Sequence, residues 1–316
     1  MGYYYRVNPD KLRRNYKKHS SGFTQWEQAD HAREYLLYPK NITARLAIDE
    51  VSLSQGELYT IVSSRDKPGR KGKLIAVIAS TRAEDILKAL LKIPLQKRQM
   101  VNEISMDMAP SMKKACREAF PEAEQVTDRF HVVRLVMEAM QHVRIDQRWK
   151  EIDKENDEIQ KARLAKKRYQ PIILANGDTP KQLLARSRYL LYKRPDQWTQ
   201  NQIIRAALLF QLYPKIEEAY RYSWDFRKIY EHHSKDKAIE ALRDWLQEIK
   251  KCGLEHFNSV AESIFNHWRG ILNFFNHRST NAHAESFNAQ IKLFRANLRG
   301  VTNVPLFLFR MEKIFA

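Results

Sequence analysis

The chain has 316 residues, with 55 Lys plus Arg against 37 Asp plus Glu, so its formal charge is +18. That length allows about two domains with cores of their own, and 43% hydrophobic residues exclude a disordered tail protein. No apolar run approaches the roughly 18 residues needed to span a bilayer, and the mean hydropathy is −0.60, so the sequence does not read as an integral membrane protein.

Residues 1–44 are basic and Tyr-rich and read as an arm with one helix near Trp26–Leu37, stopped by Pro39. A strand pattern follows in Arg45–Leu53, rich in β-branched and apolar residues. Leu58–Val62 and Leu74–Ile78 repeat it, with Lys67-Pro68-Gly69-Arg70-Lys71-Gly72 as a turn before the third run. These spacings suit an antiparallel meander. The period then changes. Thr81-x-x-Glu84 has the form of a capping box, and Ile86, Leu87, Leu90 and Leu91 make a helical apolar face that ends before Pro94. A short strand, Val101–Met106, stops at Asp107. A helix from Pro110 to Phe120, a strand Ala123–Thr127 stopping at Asp128, and a helix from Phe130 to about Arg148 complete the run. The order βββαβαβα is that of an RNase H-like mixed α/β sheet.

From about Trp149 to Gly270 the pattern is helical throughout and reads as an all-α insertion. Asn281–Leu298 is then a well-patterned helix, and Pro305–Phe315 a short apolar one. The expected organisation is a basic arm (1–44), a catalytic domain in two pieces (45–148 and 271–316), and the insertion between them (149–270). No period of 20–50 residues suggests a solenoid. Cys116 and Cys252 cannot build a disulfide framework or a zinc ribbon, and both read as buried small hydrophobes. The remaining histidines show no ligand spacing with Cys or Glu. The opening residues have no apolar signal core, so a reducing cytoplasm is the expected location. The charge favours a polyanionic partner, most simply nucleic acid.

Three acids are candidates for chemistry, although Asp49 also reads as a salt-bridge partner or strand-end residue and the face carrying Glu285 as an ordinary solvated one. Asp49 interrupts an apolar strand, where an unpaired charge is costly. Asp107 stands at the carboxyl end of the next parallel strand, the usual ligand edge; it reads equally as a helix cap. On the helix Asn281–Leu298, Phe287, Ile291, Phe294 and Leu298 form the buried stripe, while Glu285, Asn288, Lys292 and Arg295 share another face. Three carboxylates share one site only with a cation present, because two like charges ~4 Å apart repel by roughly 4 kcal/mol at an effective dielectric of about 20. Oxygen-only ligation favours Mg²⁺ or Mn²⁺.

The segments Ile48-Asp49-Glu50-Val51-Ser52-Leu53, Met106-Asp107-Met108-Ala109, Thr127-Asp128-Arg129-Phe130-His131-Val132 and Ser279–Lys292 resemble, in order, those of bacterial insertion-sequence transposases of the DDE type. The resemblance is to the group whose RNase H-like domain is interrupted by a long helical insertion. It implies that Asp49, Asp107 and Glu285 ligate two Mg²⁺ (or Mn²⁺) ions. The implied reaction is hydrolytic nicking at the element's ends, followed by attack of a 3′-hydroxyl on target DNA. Lys292, seven residues after Glu285, fits a phosphate contact near the cut. Assembly as a homo-oligomer on DNA, with transposon ends and target as partners and no membrane, is implied in the same way.

Asp128 and His131 follow the fifth strand. Asp128 reads as a helix cap, as an acceptor behind the ligands or as an extra metal ligand; His131 and Asn288 join it as candidates around the site. Arg295 and Arg299, with Arg186, Arg188 and Arg194 of the insertion, are candidate DNA contacts, the insertion arginines interleaved with Tyr189, Tyr192 and Trp198. A Trp or Tyr there serves a helical core equally well. About 48 residues precede Asp49, without Cys or a helix-turn-helix pattern. The expectation is therefore a separate polypeptide that recognises the element's ends, or a truncated chain. The rival functions are a non-catalytic DNA-binding relic and an RNase H-like nuclease without strand transfer.

Overall fold

The computed structural model describes residues 8–53, 56–65, 72–298, 301 and 303–316. The turn read at Lys67–Lys71 and the candidate DNA contact Arg299 fall outside them. The chain divides into two compact units, Met1–Arg129 with His277–Ala316, and Phe130–Asn276.

The first unit is built on a six-stranded mixed sheet of β1 (Tyr35–Leu37), β2 (Arg45–Ser52), β3 (Leu58–Ser64), β4 (Leu74–Ile78), β5 (Glu103–Met106) and β6 (Glu124–Thr127), in the order β1-β4-β3-β2-β5-β6. β2, β3 and β4 form the antiparallel meander, with β1 antiparallel on its edge. β5 and β6 add in parallel beside β2. This is an RNase H-like arrangement. Strand alternation sends Leu46, Ile48, Ile104 and Met106 into one core with α2 (Ala83–Leu90) and α4 (Pro110–Ala119). Val51, Tyr59 and Ile61 point the other way, into a core shared with Phe287 and Ile291 of a helix over Ala282–Asn297 and Phe307–Phe309 of one over Val304–Phe315. A short helix, α3 (Leu95–Gln99), leads into β5, and α1 (Pro9–Asn15) lies ahead of the sheet with no buried residue.

Two local expectations are corrected. Trp26–Leu37 is not a helix: after a 3₁₀ turn at Phe23–Gln25, successive turns over residues 27–34 lead into β1, whose Tyr35, Leu36 and Leu37 pair with Ile78, Val77 and Ala76. Trp26, Ala32 and Leu36 carry helix-like spacing, but all three are buried in the second core, and that burial outweighs local propensity. At α2 the box read at Thr81 does not form. Arg82 is the N-cap, and the Ser80 hydroxyl organises the entry, accepting from the Arg82 N–H at 3.1 Å and donating to Asp85 at 2.8 Å.

The second unit contains no strand among its described residues. Its helices are α5 (Arg129–Leu164, beginning in the first unit), α6 (Pro180–Arg186), α7 (Gln200–Leu212), α8 (Pro214–Ile229), α9 (Lys235–Ile249) and α10 (Glu255–His277, ending in the first). α5 runs well past the expected Arg148, since no Gly or Pro interrupts residues 129–164. The unit's core is aromatic: Phe226 packs on Trp245 with centroids 4.8 Å apart, and Tyr230 on Phe274 at 5.2 Å. In the first unit α11 (Ala282–Asn297) and α12 (Val304–Phe315) close the chain. No described helix is long and apolar enough to cross a membrane.

Candidate active site

The parallel strands align three aspartates in one row. β2 and β5 pair Ala47 with Ser105, so two residues further on Asp49 stands level with Asp107. β5 and β6 pair Met106 with Thr127, and the next step sets Asp107 level with Asp128. The Asp128 N–H donates to the Met106 carbonyl at 2.7 Å, carrying the ladder to that point. Adjacent strands lie about 4.8 Å apart, so the register sets the three aspartates level on neighbouring strands.

The α11 side of the sheet receives them. The Asn288 amide donates to Asp49 Oδ2 at 2.7 Å, and the Glu50 N–H donates to Asp49 Oδ1 at 2.8 Å. Asp107 accepts from the Ala109 N–H at 2.7 Å, which turns the chain into α4. Asp128 is buried, and its Oδ1 accepts from the Asn281 N–H, at the start of α11, at 3.3 Å. The Ser105 hydroxyl of β5 donates to Asn281 Oδ1 at 2.8 Å. Glu285, one turn into α11 and exposed, brings a carboxylate oxygen within 4.8 Å of one from Asp128. Asp49, Asp107 and Glu285 are not drawn together to that distance as a set of three.

Negative charge is concentrated along this edge. The Glu50 carboxyl is held above the usual range, first by burial and then by the charges of Asp107 and Asp49. Glu50, Ser105 and Asn281 were not singled out from the sequence. The signal for Asn281 was there: at 3.6 residues per turn it lies on the same stripe as Glu285, Asn288, Lys292 and Arg295.

That stripe has two edges. Glu285 and Lys292 are exposed, whereas Asn288 and Arg295 are each only 5% exposed. Arg295 is therefore turned into the fold and not toward solvent. Its guanidinium pairs with both oxygens of Glu57, at 3.0 and 3.2 Å, and lies against the Phe307 ring. In the second unit, Arg188 and Arg194 are exposed. Arg188 lies over Tyr189, and Arg194 pairs with Asp196 at 3.3 Å. Arg186 is held by the buried Asp178. Trp198 belongs to the bundle: its indole N–H donates to the Leu190 carbonyl, and its ring packs against Phe210 and Tyr220. His131 sits in the first turn of α5, edge-on to Phe130. Cys116 is buried, and burial pushes its thiol pKa up; Cys252 is half-buried rather than buried.

An RNase H-like sheet with an acidic row at its carboxyl edge, and a glutamate delivered by a later helix, is the frame of a DNA-processing domain. The family comparison agrees: a transposase family model, DDE_Tnp_ISL3, matches residues 46–311. The chain belongs to this family of insertion-sequence DDE transposases. It is 22% identical over 272 residues to the transposase for insertion sequence element IS1001 of Bordetella parapertussis, covering 85% of this chain and 60% of that protein. It is 25% identical over 255 residues to the transposase for IS1557 of Mycobacterium tuberculosis, covering 79% of this chain and 55% of that protein. The chain thus spans little more than half the length of these relatives.

Proposed function

We propose that the first unit is the nuclease and strand-transfer centre of an insertion-sequence transposase, with Asp49, Asp107 and Glu285 as its catalytic carboxylates. The observation that carries this reading is the register that sets Asp49 level with Asp107 on adjacent parallel strands, with α11 hydrogen-bonded to Asp49 at Asn288, one turn from Glu285. The donors fit a hard divalent cation. Asp49, Asp107 and Glu285 offer carboxylate oxygen alone, burial and then the charges of Asp107 and Asp49 raise the Glu50 pKa beside them, and such an acidic edge is costly without a counter-charge.

Mg²⁺ or Mn²⁺ ions would be held by Asp49, Asp107 and Glu285. Bound there, divalent ions polarise a phosphodiester and make water or a 3′-hydroxyl a better nucleophile. The chain's own residues do the rest. Strand backbone fixes Asp49 and Asp107, and the Ala109 N–H holds Asp107 in one rotamer. Lys292 lies two turns beyond Glu285 on the same exposed edge, where its ammonium meets a DNA phosphate as a point charge. The buried stripe of α11 keeps the spacing between these two side chains fixed. Both steps are phosphodiester exchanges and need no covalent protein–DNA bond.

DNA is the partner of transposases as a class. For this chain we propose transposon ends and target DNA as substrates, a homo-oligomer pairing two ends, and a bacterial cytoplasmic site of action. The test is nicking of a duplex carrying the element's end. Asp49→Asn, Asp107→Asn and Glu285→Gln should each reduce Mg²⁺-dependent nicking by at least about 1,000-fold, as expected for groups acting only in the transition state. Melting temperature and DNA affinity should hold nearly constant. Normal cutting by any of the three removes that residue from the centre.

A further inference from the structure

α11 is tied to each of the three aspartate-bearing strands by one polar contact. Asn288 meets Asp49 of β2, Asn281 accepts from Ser105 of β5, and the Asn281 N–H donates to Asp128 after β6. Asn281 and Asn288 are two turns apart on one stripe, and Glu285 lies between them. The contacts therefore fix both the rotation of the helix and its height above the strands.

We infer that Asn288 is a positioning residue for the metal centre, aiming the Asp49 carboxylate and coupling it to the helix that carries Glu285. The inference rests on the reading of Asp49 as a ligand. The chemistry of the donor supports it. Asn288 is 5% exposed, and a buried amide is kept only where its hydrogen bonds are made. Its Nδ2 lies 2.7 Å from Asp49 Oδ2, while the Glu50 N–H holds the other oxygen, so the carboxylate is clamped from both sides. Both donors are neutral. A Lys or Arg at position 288 would oppose the charge that attracts a cation, whereas an amide fixes the geometry and adds no positive charge of its own. Asn281 and Asp128 act one step further out, by seating the helix.

The test separates positioning from folding. Mn²⁺ alone is titrated against the full chain by electron paramagnetic resonance, and the Mg²⁺ dependence of nicking is measured beside it. Asn288→Ala removes the donor. Asn288→Leu removes it while keeping a γ-branched side chain of similar size in the buried space, in case the smaller variant does not fold. Losing such an outer contact typically weakens metal affinity 10–100-fold. Both variants should therefore bind Mn²⁺ at least about 10-fold more weakly, and the Mg²⁺ needed for half-maximal nicking should rise in parallel. At saturating Mg²⁺ most of the nicking rate should return, and the melting temperature should stay near that of the parent. A folded variant that binds Mn²⁺ as the parent does overturns the inference and leaves the transposase reading standing. A parent chain that neither binds Mn²⁺ nor nicks DNA overturns both.

Discussion

Arg295 and Lys292 share one stripe of one helix and have opposite fates. Lys292 is exposed, while Arg295 is buried with its guanidinium across both oxygens of Glu57, itself partly buried. Removing one member of such a pair leaves the other charge uncompensated in a desolvated place. Arg295→Ala should cost roughly 3 kcal/mol of unfolding free energy by denaturant titration, while Lys292→Ala should leave stability unchanged within about 0.5 kcal/mol. A second residue-scale outcome concerns pH. Burial pushes the Tyr38 phenol pKa up, and its hydroxyl donates to Glu312 Oε2 at 3.0 Å beside the Trp26 indole. Because the folded-state value lies above the unfolded value of about 10, the contribution is complete below pH 10. It is lost as the pH rises beyond that point. Alkaline titration of stability should show a fall above about pH 10, blunted in Tyr38→Phe; an identical fall in that variant would place the effect elsewhere.

Among the elements, β2, β3 and β4 are legible in the sequence as apolar, β-branched runs, because the sheet is buried on both faces, and α11 by the one-sided stripe of Phe287, Ile291, Phe294 and Leu298. The position of Asp107 at the carboxyl edge follows from the end of its strand, and Asp49 stands out as a charge inside an apolar strand. The residues that tie these elements together were not legible. Ser105 looks like any strand serine until its hydroxyl is seen to meet Asn281 across 176 residues of sequence. Arg295 looked like its exposed neighbours because spacing gives a stripe but not which edge of it the sheet covers. β1 was read as helix because a three-residue edge strand carries no period of its own. The apolar side of α12 is a test at this scale. Phe307 is 2% exposed and lies 5.7 Å from the Phe294 ring. Phe307→Ala should destabilise the first unit by roughly 3–5 kcal/mol, read by urea unfolding, and a loss below about 1 kcal/mol would mean that α12 is dispensable for holding α11.

At the scale of the molecule, a chain of net charge +18 keeps an acidic row at the edge of its sheet. On the proposed reading the surplus of cations serves a polyanion, and the acids serve a divalent ion. Association with DNA should therefore weaken steeply with salt, log K falling against log salt with slope about −0.9 for each phosphate neutralised. Arg188→Ala with Arg194→Ala, both exposed in the second unit, should flatten that slope by about 2, measured by fluorescence anisotropy. An unchanged slope would remove the pair from the DNA contacts. Catalysis should follow the opposite ion dependence, requiring Mg²⁺ and ceasing with chelator. The most direct measurement is nicking of element-end duplex by the parent chain and by Glu285→Gln, each with Mg²⁺ and with EDTA. Cutting by the parent in Mg²⁺ alone, with DNA still bound but uncut by the variant, is the predicted result. Cutting that persists in EDTA, or in the variant, would contradict an acid-held divalent centre between α11 and the sheet.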